Sequence, residues 1–128
     1  MGDRSNIFFR NVKGGIGVYG HWAGVSMATA AMAVINNAAF KQRIGDCTYA
    51  TRIGVQTVLE HLGALATHET GFGLWSAEMG PGDNEHKYIV IDVGDGSVYV
   101  AGDWDNVREC ELVPKPDCET LLALMSDD

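Results

Sequence analysis

The fold is decided by the stretch Asn6-Ile7-Phe8-Phe9-Arg10, residues 11–15, and Ile16-Gly17-Val18-Tyr19-Gly20-His21-Trp22. The first run is rich in β-branched and aromatic side chains, and residues 11–15 are typical of a turn. The last run alternates in side-chain type, as a half-buried strand does. The stretch therefore predicts an N-terminal β-hairpin.

The second strand of this hairpin has two distinct faces because side chains alternate with a period of two. Ile16, Val18 and Trp22 fall on one face, and His21 falls on the other. Trp22 has two readings, a buried anchor of the core or a ring that stacks on a planar ligand.

Two consecutive helices are predicted after the hairpin. Residues 25–40 show helical spacing of apolar side chains, with Ser26 as the N-cap. Residues 47–62 repeat apolar side chains at i, i+3, i+4 and i+7, and Gly63 ends the segment.

The second half of the chain reads as a mostly antiparallel β-meander that ends in a short helix. Its predicted strands are residues 71–75, 87–93, 98–100 and 109–113. Pro114 and Pro116 then interrupt the chain before Asp117 caps an amphipathic helix. The expected fold class is α+β, in one domain over residues 1–128, with residues 113–128 as a peripheral acidic tail.

Charge argues against one class of partner. The 128 residues contain 9 Lys and Arg and 17 Asp and Glu, for a net charge of −8. A protein that binds duplex nucleic acid needs clustered cations to neutralise phosphates, so duplex nucleic acid is not expected as a partner. Residues 1–62 nevertheless hold six basic against three acidic side chains, which allows a small anionic ligand there.

Compartment is indicated by the cysteines and the N-terminus. The three cysteines are odd in number and form no C-x-x-C pair, which favours a reducing cytoplasm. Residues 1–10 lack the apolar run of a signal peptide. Residues 23–39 are Ala-rich and contain polar side chains, so a buried helix is expected there rather than a membrane span.

Candidate ligand-binding residues occur first in the basic half. His21 and Trp22 offer an imidazole and an indole at the hairpin end. Tyr49, Arg52 and Gln56 form a polar stripe along the second helix, near an N-terminus that favours anions. The alternative for this stripe is a solvated helix face with a half-buried tyrosine.

Further candidates lie in the acidic half. Glu69 and Thr70 precede a glycine-containing strand, where glycine indicates either close approach of a ligand or a bulge. Asn84 and Glu85 belong to a polar loop that is either a ligand contact or a solvated turn. The loop lacks the spacing of a known metal motif, so neither a metal nor a cofactor is predicted.

No catalytic motif is recognisable in the chain. The nucleophile elbow, the P-loop and the dinucleotide fingerprint are all absent from the sequence. A histidine paired with a carboxylate would suffice for a small hydrolase, and this is the third hypothesis for function. Catalytic residues are therefore not assigned, and the chain is expected to be a binding protein.

A resemblance adds context to these candidates. It rests on Asn6-Ile7-Phe8-Phe9-Arg10, His21-Trp22, Tyr49-Ala50-Thr51-Arg52-Ile53, Glu69-Thr70-Gly71-Phe72-Gly73 and Asp83-Asn84-Glu85-His86. In these segments the chain resembles a family of small uncharacterised proteins of actinobacterial bacteriophages. The resemblance implies a host-takeover or anti-defence role in the host cytoplasm, such as an oligomeric sponge that sequesters a nucleotide signal.

Two binding hypotheses follow from the residues and the resemblance together. The leading one is a homo-oligomer that binds and sequesters a small anionic, nucleotide-derived host immune signal. The alternative is an inhibitor that binds a host protein through its acidic surface.

Overall fold

The predicted α+β class is confirmed in a computed structural model that describes residues 2–65, 70–81, 84–104 and 110–126. The helices are α1 (Ser26–Ile35), α2 (Ala38–Arg43), α3 (Cys47–His61) and α4 (Cys118–Ser126). The strands are β1 (Ser5–Asn11), β2 (Gly14–Gly20), β3 (Phe72–Ser76), β4 (Tyr88–Asp92), β5 (Val98–Ala101) and β6 (Glu111–Val113).

The six strands form one sheet in the order β3-β2-β1-β4-β5-β6. The predicted hairpin is β1 and β2, and all neighbours are antiparallel except β1 and β4, which run parallel. The strands β4, β5 and β6 form the meander. The strand β3 instead pairs with β2 and forms the opposite edge of the sheet.

One face of the sheet is covered by helices α1, α3 and α4. Ile7, Phe9, Ile89 and Ile91 point from the central strands into this core and are completely buried. Gly54 of α3 lies directly on the ring of Phe9, where a Cβ would fall 2.4 Å from the Phe9 Cε1 atom. The helix therefore packs more closely on the sheet than any larger residue would allow.

The expected single helix over residues 25–40 is wrong. The helix α1 ends at Ile35, and Asn37 starts α2 by accepting a hydrogen bond at Oδ1 from the Phe40 amide (3.0 Å). This cap lets the chain turn and bury Phe40. Ser26 is also not the N-cap, since Val25 holds that position without a side-chain hydrogen bond.

The C-terminal helix is not a peripheral tail. The N-cap prediction is confirmed because the Thr120 amide donates to Asp117 Oδ1 (2.7 Å), a bond that lowers the pKa of Asp117 below its ordinary value. Leu121 and Met125 are buried in the main core, in contrast to the prediction for residues 113–128. Amphipathic spacing places both side chains on the face that meets α1 and the sheet.

The opposite face of the sheet carries an aromatic cluster. Phe8 and Trp75 stack with centroids 5.2 Å apart and planes 7° apart, and Trp104 meets both rings edge-on at 5.0 and 4.8 Å. Tyr88 borders the cluster, and its pKa is raised first by burial and then by the Asp103 carboxylate. Both faces of the central strands are thus packed.

Candidate functional site

A groove lies between α3 and the strands β2 and β3, with a volume of about 420 Å³. Its apolar wall consists of Ile16, Val55, Leu59, Leu65 and Leu74. The groove exists because α3 packs over β1 and β2 and leaves Leu74 of β3 with 56% of its surface exposed. Clefts of 300–1,000 Å³ with mostly apolar walls are typical of small-molecule sites.

Polar groups line the groove along α3. The Arg52 guanidinium donates from Nη1 to Gln56 Oε1, and Gln56 Nε2 donates to Glu60 Oε1 at 2.7 Å. Arg52 is the cation among the lining residues, and most of its five N–H donors remain available after one bond to Gln56.

The Thr51 hydroxyl is the least satisfied of these polar groups. Thr51 lines the groove, and its Oγ1 atom is buried without a hydrogen-bond partner among the residues described. Buried polar atoms almost always have a partner, and those that do not call for an explanation. This atom is enclosed by the chain and does not reach the surface of the groove.

Tyr49 belongs to the same helix but to a different surface. It is not one of the lining residues, and the Arg43 guanidinium lies 4.6 Å from its ring centroid in a cation–π contact. Arg43 also pairs with Asp46 at 3.3 Å. The predicted stripe therefore divides, with Arg52 and Gln56 in the groove and Tyr49 beside it.

His21 and Trp22 lie beyond the end of β2. The Tyr19 hydroxyl hydrogen bonds with His21 Nδ1 at 2.8 Å, and the Trp22 ring meets His21 edge-on with centroids 4.5 Å apart. Trp22 is 61% exposed, so the reading of this residue as a core anchor is wrong. The strand ends at Gly20, and the alternation that would have buried Trp22 stops there. Trp75 provides a buried indole instead.

Asn84 and Glu85 hold the chain together near this end of the sheet. Asn84 Oδ1 accepts from Asn6 Nδ2 at 3.1 Å, and Asn84 Nδ2 donates to the His86 carbonyl. Glu85 Oε1 accepts from Arg4 Nε at 2.9 Å. Both side chains therefore have structural partners within the chain.

The remaining two candidates are Thr70 and Glu69. Thr70 is exposed and adjoins Gly71, whose carbonyl accepts from the His21 amide at 2.8 Å. Glu69 lies outside the described residues. The candidates thus fall at two places. The groove contains Ile16, near the start of β2, whereas His21 follows the end of that strand.

Sequence reasoning missed the groove's apolar wall and Thr51. The alternation of β2 placed Ile16 on the face with Val18, which is the face that α3 partly covers. The contribution of Leu74 depends on β3 pairing with β2, and that pairing has no local sequence signal. Thr51 was visible only as a neighbour of Arg52.

Asn6 is a buried polar residue of β1 that connects two other parts of the chain. It is completely buried, and its Oδ1 atom accepts from Trp75 Nε1 at 2.9 Å while its Nδ2 donates to Asn84. An Asn6→Ala variant is expected to lose about 1–3 kcal/mol of unfolding free energy, because the indole N–H is left buried without an acceptor. Urea denaturation measures this, with the exposed Asn36→Ala as the control. Equal midpoints for the two variants would contradict the role of Asn6.

Among residues 2–65, 70–81, 84–104 and 110–126, no group of three or more His, Cys, Asp or Glu side chains is placed to hold a metal ion. The described helices also include none with the length and hydropathy to cross a bilayer. The surface of the groove is almost entirely apolar, and the side chains of Arg52 and Gln56 adjoin it from α3.

Comparison with protein-family models, with curated proteins and with solved structures finds no match to this chain.

Proposed function

We propose that the chain is a non-catalytic protein that binds and sequesters a small anionic, nucleotide-type molecule in the groove beside α3. The observation that carries the proposal is an open apolar groove of about 420 Å³ that has Arg52 among its lining residues. The sequence resembles phage proteins of the host-takeover or anti-defence type, and in such a protein this molecule would be a host immune signal.

The chemistry of the groove favours a ligand with one apolar or planar part and one anionic part. The aliphatic wall of Val55, Leu59 and Leu74 offers a surface for a base or ring. Arg52 offers a fork that matches a phosphate or carboxylate in a bidentate manner. Among the described residues, Arg52 is held by the neutral amide of Gln56 and forms no ion pair with a carboxylate.

Helix geometry adds to this electrostatic preference. Thr48 lies in the first turn of α3, where the unpaired amides and the helix dipole favour negative charge, and Thr51 and Arg52 follow in the second turn. The same residues fall within the basic half of the sequence, with six basic against three acidic side chains in residues 1–62. Arg4, Arg10 and Arg43 are paired with carboxylates elsewhere, so Arg52 is the cation that an anion in the groove would meet.

The proposal uses only some of the candidate residues that the sequence offered. Arg52 and Gln56, which are among the lining residues of the groove, are the polar side chains that the proposal uses. Asn84 and Glu85 are engaged in contacts within the chain, and His21 and Trp22 lie beyond the far end of β2 from Ile16. These four residues are therefore left out of the proposed site.

The proposal predicts a specific loss on removal of the cation. Arg52→Ala is expected to weaken ligand binding by about 1.5–3 kcal/mol, the range for a hydrogen bond to a charged group. Arg52→Lys recovers only part of the loss, because the ammonium cannot form the bidentate contact. Isothermal titration calorimetry with cyclic nucleotides and ADP-ribose-type molecules measures both effects.

The matched control is Lys41→Ala, which removes one exposed cation of α2 outside the groove and should leave binding unchanged. Mass spectrometry of the solution after the purified protein is heated identifies any ligand carried from the cell. Binding that is equal in the wild type and Arg52→Ala refutes the proposal. A wild type that neither binds the panel nor releases a small molecule also refutes it and favours the inhibitor of a host protein.

A further inference from the structure

The strand β3 is an edge strand that lacks the usual protection against pairing. Its sequence Phe-Gly-Leu-Trp-Ser contains no charged residue and no proline. Leu74 at its centre is 56% exposed, and a Cβ at Gly73 would meet no other part of the described chain within 4 Å. Edge strands are normally blocked by charges, prolines or bulges, because their open backbone groups pair readily with another strand.

The other edge of the sheet shows this protection clearly. The strand β6 has only three residues, begins with the exposed Glu111, and is followed by Pro114, Lys115 and Pro116. A short strand with a charge and adjacent prolines resists pairing. Within the described sheet, only the edge formed by β3 is left suitable for a partner strand.

We propose that β3 pairs antiparallel with β3 of a second copy of this chain, and that the second copy completes the ligand groove. If the five residues of β3 pair with the same five residues of the second copy, the two-fold axis passes through the two Leu74 residues, at the middle of each strand. The two sheets then continue into one sheet of twice the width. The shared groove rests on the proposed function, whereas the pairing of the two strands does not.

The position of the groove explains why a second copy would contribute to it. Antiparallel strands in one sheet are related by an axis perpendicular to the sheet, so the two α3 helices lie on the same face. Val18 and Leu74 are in register on that face, and the groove opens from α3 toward Leu74. The two grooves therefore meet at the axis, with Leu74 from each copy as a shared floor and one α3 helix as each wall.

The charge distribution favours this arrangement. Residues 70–77 contain no charged side chain, so the paired strands bring no like charges together. Along α3, the linked side chains run from the cation Arg52 through Gln56 to the anion Glu60.

Apart from Glu78, which follows β3 by two residues, the described acidic side chains of β4 and the chain after it lie away from this contact. The strands β4, β5 and β6 lie on the far side of the sheet from β3. The edge strand β6 lies five strand spacings from β3, which is about 24 Å at about 4.8 Å per spacing. At physiological salt, repulsion over such a distance is largely screened.

Self-association is tested by light scattering and sedimentation at micromolar concentration. The wild type should have twice the 13.8 kDa mass of the chain. Gly73→Lys places a charge on β3 without contact to the groove, and it should raise the dimer dissociation constant at least tenfold. Leu112→Lys makes a similar change at the β6 edge, where Leu112 is 51% exposed, and should remain dimeric. A monomeric wild type, or equal dissociation constants for both variants, refutes the pairing.

A cysteine at the axis tests the register independently. Residues directly opposite in an antiparallel pair have Cα atoms about 4.5–5.5 Å apart, within the range that a disulfide bridges. Leu74→Cys should therefore form a covalent dimer under mild oxidation, whereas Leu112→Cys and the wild type, with its free Cys47, Cys110 and Cys118, should not. Absence of cross-linking in Leu74→Cys, or equal cross-linking in Leu112→Cys, refutes the register.

Ligand binding by Gly73→Lys separates the two proposals. A monomeric variant that binds at least tenfold more weakly than the wild type supports a site shared between copies. A monomeric variant with unchanged affinity shows that one chain holds the whole site, which refutes the shared groove and leaves the proposed function intact. A wild type that is dimeric but binds nothing refutes the proposed function and leaves the pairing intact.

Discussion

Gly17→Ala is expected to destabilise the fold by about 3 kcal/mol, at the upper end of the range for overpacking a core. The Trp75 indole lies flat across Gly17 to stack on Phe8, and a Cβ at Gly17 would fall 2.0 Å from Trp75 Cε2. Trp75 cannot move aside easily, because Trp104 abuts it edge-on and its Nε1 donates to Asn6. Thermal and urea unfolding measure the loss.

Two further variants identify the cause of this loss. Gly73→Ala changes a glycine on the same face of the neighbouring strand, where the added methyl meets open space, and should be neutral or slightly stabilising. In a Trp75→Leu background the penalty of Gly17→Ala should fall below about 1 kcal/mol, since the indole is gone. A penalty that is the same in both backgrounds would show that the clash with Trp75 is not responsible.

Leu121→Ala is expected to cost about 3 kcal/mol, within the range of about 2–5 for truncation of a buried leucine. Leu121 is completely buried in the main core, and α4 contacts α1, β4 and β5. The Met125 carbonyl also accepts from the Lys87 amide at 3.0 Å, which joins the last turn of α4 to the chain just before β4. Urea denaturation followed by tryptophan fluorescence measures the effect.

The control for this prediction is Leu112→Ala, which truncates a leucine that is half exposed on β6 and should change stability by less than about 0.5 kcal/mol.

Removal of residues 114–128 should abolish cooperative unfolding, because it uncovers the core beneath α4. A truncated chain that unfolds at the wild-type midpoint would mean that α4 is dispensable.

Local sequence signals were sufficient to predict most of the secondary structure. β-Branched and aromatic side chains predicted β1, alternation predicted β2, helical spacing predicted α3, and Asp117 correctly marked the start of α4. The break between α1 and α2 was missed because the apolar spacing continues through it. Asn37 is a favoured N-cap residue, and its position ahead of Phe40 is the signal that would have identified the break.

The tertiary arrangement depended on pairings that are distant in sequence. The position of β3 beside β2 turns Leu74 into a groove residue, and the parallel pairing of β1 with β4 separates β3 from the meander. For the site, the sequence identified Arg52 and Gln56, which line the groove. It grouped them with Asn84 and Glu85 because polarity alone cannot distinguish a ligand contact from a side chain that bonds within the chain.

The parallel pairing at the centre of the sheet has a consequence for synthesis of the protein. The strand β1 meets β2 across a short turn, but its other partner pairs Ile7 with Ile89. At about 5–20 residues per second, roughly 4–16 s of translation separate the two halves of that pairing. Throughout this interval the nascent hairpin has an open flank where β4 belongs.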